Sequence, residues 1–325
     1  MQVSSFTSVS TRLRRPRSLA RLEMAIIGPV RYTTRDWIDC LFTWPSSRIL
    51  ARTRHHMLFF TLWTSILCSL YHWKQYTFIL PTIIHSILGS VLSLLLVFRT
   101  NSSYDRFWEG RKSWGIVIMN CRELASLAYL HLPQTYHLEI ASLLVAFSIV
   151  LKQHIQSDRI ASELSPYLSN SKIQLIQKFR NRPLYILRLL QNLIHQALHE
   201  KYPNPMEATL HEHSFQESLH QLNHQVAVCE RIVKQPIPLA YSRHTSRFLS
   251  LYLFTLPLSM ITLLKWVTIP VVMAIGWSFV CIQEIGHFIE EPFNKATQVI
   301  PLNQMTSVIR LDVSGRSIGS IHFLN

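Results

Sequence analysis

Residues Phe78–Phe98 contain no Asp, Glu, Lys or Arg and consist mostly of Leu, Ile, Val, Phe and Ser. A helix of that length rises roughly 30 Å, the thickness of a bilayer's hydrocarbon core. Hydrocarbon offers no partner to a backbone N–H or C=O, so a run of this kind crosses a membrane only as a helix. Three more uncharged windows are Met57–Trp73, Phe248–Leu264 and Trp266–Ile282. Trp73 and Trp266 stand at window ends, where interfacial aromatics are found. Ala141–Leu151 is also uncharged but too short to span, which predicts a core helix outside the membrane.

The cations orient these windows. Arg48, Arg52 and Arg54 precede the first, Arg99, Arg106, Arg111 and Lys112 follow the second, and Arg243 and Arg247 precede the third. Only Lys74 lies between the first and second, and only Lys265 between the third and fourth. Four spans with both termini and the large middle segment on the positive side satisfy this alternation.

Charged residues make up 15% of the 325, where a soluble domain carries about a quarter. The net charge of +14 suits an anionic lipid surface or an anionic permeant. No nucleic-acid recognition motif accompanies it, and the basic residues flank apolar segments, so nucleic acid is not the expected partner. Cys40, Cys68, Cys121, Cys229 and Cys281 are scattered without a C-x-x-C pair, which argues against a disulfide framework or zinc site. Residues 1–31 form a basic N-terminal tail. Its first 23 are rich in Ser, Thr and Arg with one acid, Glu23, a composition shared by organelle transit peptides. A plain basic tail, or a start at Met24, fits equally.

The middle segment, about 105–235, reads as polar helices: Lys172–Tyr202, interrupted at Asn181-Arg182-Pro183, and Glu207–Lys234. With no strand alternation and no G-x-G-x-x-G, the predicted fold class is all-α. Phe98-Arg99-Thr100-Asn101-Ser102-Ser103-Tyr104-Asp105-Arg106-Phe107-Trp108-Glu109-Gly110-Arg111-Lys112-Ser113-Trp114 follows the second window. It resembles the FRT-N-x-S-Y-x-R-x-x-E-x-R-x-x-W signature of bestrophin-like proteins, especially the plant-type thylakoid chloride channels. Pro236-Ile237-Pro238-Leu239-Ala240-Tyr241 before the third window, and Ile289-Glu290-Glu291-Pro292-Phe293 after the fourth, are similar to two further family motifs in the expected order. The resemblance covers residues 32–293 and leaves 294–325 as a divergent C-terminal tail.

The resemblance implies a homopentamer that conducts chloride and other monovalent anions through one central pore lined by the second span. The membrane would be thylakoid or, without a transit peptide, a bacterial plasma membrane. The family's hydrophobic neck falls on Ser90, Leu94 and Phe98, and its cytosolic aperture on Ile237. Spacing at i, i+4 and i+8 puts the three on one helical face, which by itself equally describes packing on a neighbouring helix. Arg99, Asn101, Tyr104, Arg106, Glu109, Arg111, Pro236, Pro238, Glu290, Glu291, Pro292 and Phe293 are motif residues and members of a structural collar, although Arg106 could instead attract anions. Pro81, Pro236 and Pro238 suit helix starts, whose N-termini favour anions.

Animal bestrophins bind calcium with an acidic cluster after the corresponding Pro-Phe. Here Asn294-Lys295-Ala296-Thr297-Gln298 follows, so no calcium cofactor is expected. The pairs His195/His199 and His220/His224 have one-turn spacing but no third ligand fixed by the sequence, so no metal is expected either. His85, within the second window, reads as a buried neutral histidine. No Ser-His-Asp order, phosphate loop or paired catalytic carboxylates stand out, and the chain is not expected to be an enzyme. Two other classes remain: an anion transporter, and a membrane scaffold or enzyme with a histidine metal site.

Overall fold

The computed structural model describes residues 48–74 and 80–318. The basic tail, Cys40 and the first two residues of the window Phe78–Phe98 lie outside the described residues. Among the described residues every regular element is helical: α1 (Arg48–Lys74), α2 (Thr82–His131), α3 (Gln134–Ile155), α4 (Asn170–Lys178), α5 (Arg182–Lys201), α6 (Pro205–Lys234), α7 (Leu239–Leu264), α8 (Thr268–Glu290) and α9 (Leu302–Ile318). Short 3-10 turns occur at Ala161–Glu163 and Lys265–Val267.

Proline and asparagine set the starts. Pro81, Pro133 and Pro238 sit at the N-caps of α2, α3 and α7, where a missing N–H costs nothing. The expected interruption near Asn181 is real: α4 ends at Lys178, and Asn181 caps α5 by accepting from the Leu184 N–H. The helix that holds the second window continues through the signature stretch. It does not end near Phe98 but runs unbroken for 50 residues to His131, about 75 Å at helical rise. Nothing in the signature stretch stops it, since its Gly110 is tolerated inside a helix and no proline intervenes.

Two hydrophobic cores result. One joins Phe60 of α1, Leu92 and Leu96 of α2, Leu249, Leu253 and Leu256 of α7, and Val272 and Val280 of α8. At one end of this bundle Trp266 stacks on His72, and the Leu80 N–H donates to the Leu258 carbonyl. At the other, Arg52 approaches Glu284 and Arg99 approaches Glu290. The tryptophans and the arginines thus occupy opposite ends, as the charge alternation predicts. Pro257 is carried inside α7 without ending it.

The second core is larger and is built around α3, with Trp114, Val117, Cys121 and Leu124 of α2, Ile186, Leu190 and Ile194 of α5, and Phe215, Leu222 and Val226 of α6. Ala141–Leu151 lies at its centre, the core helix expected there. The boundary drawn at residue 294 does not divide this packing, because Ile300, Leu302, Ile309 and Val313 are buried in the same core.

Among the described residues three stretches are long and apolar enough to cross a membrane: Thr82–His131, Gln134–Ile155 and Leu239–Glu290, the last divided by the 3-10 turn. α1, which holds the first expected span, is not among them. Thr61, Thr64, Ser65 and His72 dilute its apolar character.

Candidate functional site

The stretch of α2 from Thr82 to Phe98 has one buried stripe, at His85, Leu92 and Leu96, which Arg99 and Ser103 continue. The steps of three, four and seven residues match helical periodicity. Elsewhere on this stretch, Ile83, Ile87, Val91, Leu94, Val97 and Phe98 are exposed. Ser90, Leu94 and Phe98 share one face, with Leu94 and Phe98 each 55% exposed. Neither is used to pack this chain against itself. The Ser90 hydroxyl donates to the Ser86 carbonyl, 3.0 Å away, and so leaves no unsatisfied donor on that face. The exposed face continues through Asn101, Tyr104 and Trp108, passing from aliphatic to amphipathic.

His85 belongs to the opposite, buried face. Its Nε2 lies 3.3 Å from both the Tyr252 carbonyl and Thr255 Oγ1, and its ring stacks on Tyr252.

Beyond Phe98 the polar motif residues separate into two groups. Arg99 is buried with Glu290, Nη2 to Oε2 3.6 Å, and Glu290 also receives His287 Nδ1 at 3.7 Å. Among the described residues Arg106 makes no carboxylate pair. Its Nε donates to the Glu290 carbonyl (3.1 Å), Nη1 to the Gln235 carbonyl (2.5 Å) and Nη2 to the Ile232 carbonyl (2.6 Å). One guanidinium therefore gathers the C-terminal carbonyls of α6 and α8 onto α2. The planar five-donor fork suits this task, and a cation at helix C-termini is favoured by their dipoles. Glu109 pairs with Arg231 of α6. Asp105, Arg111 and Lys112 are exposed.

The Glu290-Glu291-Pro292-Phe293 motif forms the corner after α8. Glu291 accepts from Asn294 Nδ2 at 2.7 Å. Phe293 is buried against Gly110, where an added Cβ would come within 3.0 Å of the Phe293 ring and 3.2 Å of Ile300. A side chain at 110 would press on both and require them to give by a few tenths of an ångström. The Phe293 carbonyl accepts from Gln156 Nε2, joining the corner to the end of α3. Ser113 Oγ lies 3.3 Å from Cys229 Sγ, and burial pushes that thiol up to about 12.

Ile237 lies in the link between α6 and α7. It is half-buried between exposed Pro236 and Pro238. The link is anchored on both sides, by Arg106 on Gln235 and by the Tyr241 hydroxyl on the Leu95 carbonyl (3.1 Å). Arg106 stands about 12 Å along α2 from Phe98, and the link shares its level.

Two features escaped the sequence reading. Gly110, Ile300 and Val313 are collar and core residues whose partners are far away in sequence. Glu212 of α6 lies beside His195 of α5, its Oε2 3.1 Å from Nδ1. The short Tyr202-Pro203-Asn204 turn was the available signal, because it folds α6 back along α5.

The family model for bacterial and fungal bestrophin proteins matches residues 30–314. A voltage-dependent anion channel-forming protein of Nostoc sp. is 36% identical over 72% of this chain and 76% of its own length. One of the same description from Synechocystis sp. is 33% identical over 86% of this chain and 91% of its own. A chloroplastic voltage-dependent chloride channel of Arabidopsis thaliana is 32% identical over 65% of this chain and 51% of its own. The crystal structure of a bacterial bestrophin homologue from Klebsiella pneumoniae superimposes with a TM-score of 0.74 at 29% identity, covering 80% of this chain and 97% of that one. On the strength of the matched length and of the shared helical fold, the chain belongs to the bestrophin family.

Proposed function

We propose that this chain is one subunit of a homopentamer that conducts chloride and other monovalent anions passively across a membrane. α1, the first part of α2, α7 and α8 are the four spans, and the larger core lies on the positive side. The neck is Ser90, Leu94 and Phe98, and the aperture is Ile237. The observation that carries the reading is the exposed face of α2. It presents Leu94 and Phe98 away from the subunit's own core, directly above the Arg106 collar.

A ring of such faces makes a narrow apolar tube. A large, weakly hydrated anion gives up its water at lower cost than a small cation does, and a tube of this kind can close by dewetting. The N-terminus of α7 adds a positive dipole end beside Ile237. Arg106 is a strut, each of its three guanidinium nitrogens donating to a carbonyl. The reading needs no resident cofactor, since Arg99 holds Glu290 and Asn294 holds Glu291, and no catalytic group. The membrane is thylakoid if residues 1–31 direct import into chloroplasts, and a bacterial plasma membrane otherwise. An import assay on that segment separates the two.

Reconstitution into planar bilayers under a chloride gradient tests the whole. The reversal potential should move toward about 59 mV per tenfold gradient with the sign of an anion. Phe98→Ala should raise conductance and loosen selectivity. Cation-selective or absent currents in the native chain would remove the channel reading, and an unchanged Phe98→Ala channel would remove the neck.

A further inference from the structure

We propose that His195, His199 and Glu212 form a binding site for one divalent transition-metal ion of the zinc class, fastening α5 to α6. The two histidines stand one turn apart and exposed on α5, and Glu212 reaches them from α6. One ligand atom from each side chain lies within 4.8 Å of the other two. Among the described residues this is the one group of three His, Cys, Asp or Glu donors so gathered. The site lies outside the membrane-spanning segments, and its occupancy is independent of the conduction reading.

The donor set fits the ion. Two imidazoles and a carboxylate are a zinc-type combination, with bonds of about 2.0 to 2.2 Å and a fourth position left to water. Bonds of that length place tetrahedral ligand atoms about 3.3 Å apart. The His195 Nδ1 to Glu212 Oε2 separation of 3.1 Å is already close to this. Closing the remaining gap requires His199 to turn its ring, which its exposure allows; its centroid stands 4.3 Å from that of His195. Gln216 Nε2, 3.5 Å from the other Glu212 oxygen, can steady the carboxylate from outside.

The frame beneath is rigid. Ile194, Ala197 and Leu198 of α5 and Ala208 and Phe215 of α6 are all buried. Nearby histidines lack what this group has. His131 and His211 have rings 4.4 Å apart, but no carboxylate joins them among the described residues, and Lys201 stands close by. A cation is unwelcome beside Lys201. The His220/His224 pair gathers no carboxylate among the described residues.

Zinc sulfate titrated calorimetrically into the purified full-length chain tests the proposal, with circular dichroism confirming that each variant is folded. One saturable site per chain is expected. His199→Ala and Glu212→Gln should each weaken it at least tenfold, in line with the cost of disturbing even outer partners of a metal. The His220→Ala/His224→Ala double variant and His131→Ala should bind as the native chain does. Cobalt in place of zinc should give the intense visible absorption of a tetrahedral site, lost in Glu212→Gln. Absence of saturable binding overturns the proposal, as does full-affinity binding by His199→Ala and Glu212→Gln. Neither result bears on anion currents, so this site and the pore stand or fall separately.

Discussion

Thr82–Phe98 and the Ala141–Leu151 stretch of α3 are both uncharged, apolar helical stretches, and the protein treats them in opposite ways. An 18-residue apolar window on α2 is 22% buried within the chain, whereas the equivalent window on α3 is 78% buried. Around α3 the packing closes on all sides, with α2, α5, α6 and α9 contributing to one core. The polar end of α3 is provided for internally: Lys152 reaches Glu163 and Asn303, and Gln153 reaches the Ile160 carbonyl. α2 between Thr82 and Phe98 has neighbours along one stripe only. Apolarity alone therefore does not identify a membrane span. What separates the two is burial, since most of the surface of the α2 window is left open by the chain's own packing.

The same truncation in the two regions should expose the difference most strongly. Phe147 of α3 is fully buried, and Phe147→Ala should destabilise the protein by about 3 to 5 kcal/mol, read as a large drop in melting temperature in detergent. A drop no larger than that of a surface change would mean α3 is not a packed core helix.

Arg106→Ala should come next, at about 2 to 3 kcal/mol. Arg106 and Ile232 line an open cleft that water can enter, so solvation offsets part of the loss and the cost is nearer one charge-assisted bond than three. Arg106→Lys should rescue little, because an ammonium cannot span three carbonyls in a fork. Full rescue by lysine would show that charge, and hence anion attraction, is what matters at 106.

A smaller effect is expected from acid. Burial alone would raise the Glu230 carboxyl, but Lys234 and His154 outweigh it and hold the group below 4.5. Its charged form therefore supports the fold above about pH 4.5, and that support fades as pH falls through the depressed value. Melting temperatures taken down to about pH 3 should fall less steeply for Glu230→Gln than for the native chain. Parallel slopes would remove Glu230 from the account. Smallest of all, Phe98→Ala should shift stability by no more than about 0.5 kcal/mol while changing conductance. A loss comparable to that of Phe147→Ala would place Phe98 in a packed interface and not on a pore wall.

Much of this was legible in the residues. Uncharged runs located α2, α7, α8 and the core helix α3, Pro81 and Pro238 marked the starts of α2 and α7, Asn181-Arg182-Pro183 marked the break before α5, and three motifs in order pointed to the bestrophin resemblance. Arg106 shows where such reading stops. Its place in the signature was plain, yet the choice between anion attraction and collar depended on Ile232, Gln235 and Glu290, more than 120 residues away. The residues after 293 carried no familiar pattern, and only packing shows Ile309 and Val313 closing the α3 core. The metal-site histidines were visible as a pair, whereas Glu212 was not visible as their partner.

The amino-acid order alone determined which segments must be helical and which can tolerate hydrocarbon, because backbone satisfaction and side-chain transfer are local properties. Tertiary structure alone decided which apolar faces are covered and which are left open, and which carbonyls and carboxylates each arginine or histidine meets. Those contacts join residues far apart in the chain, and no local period encodes them.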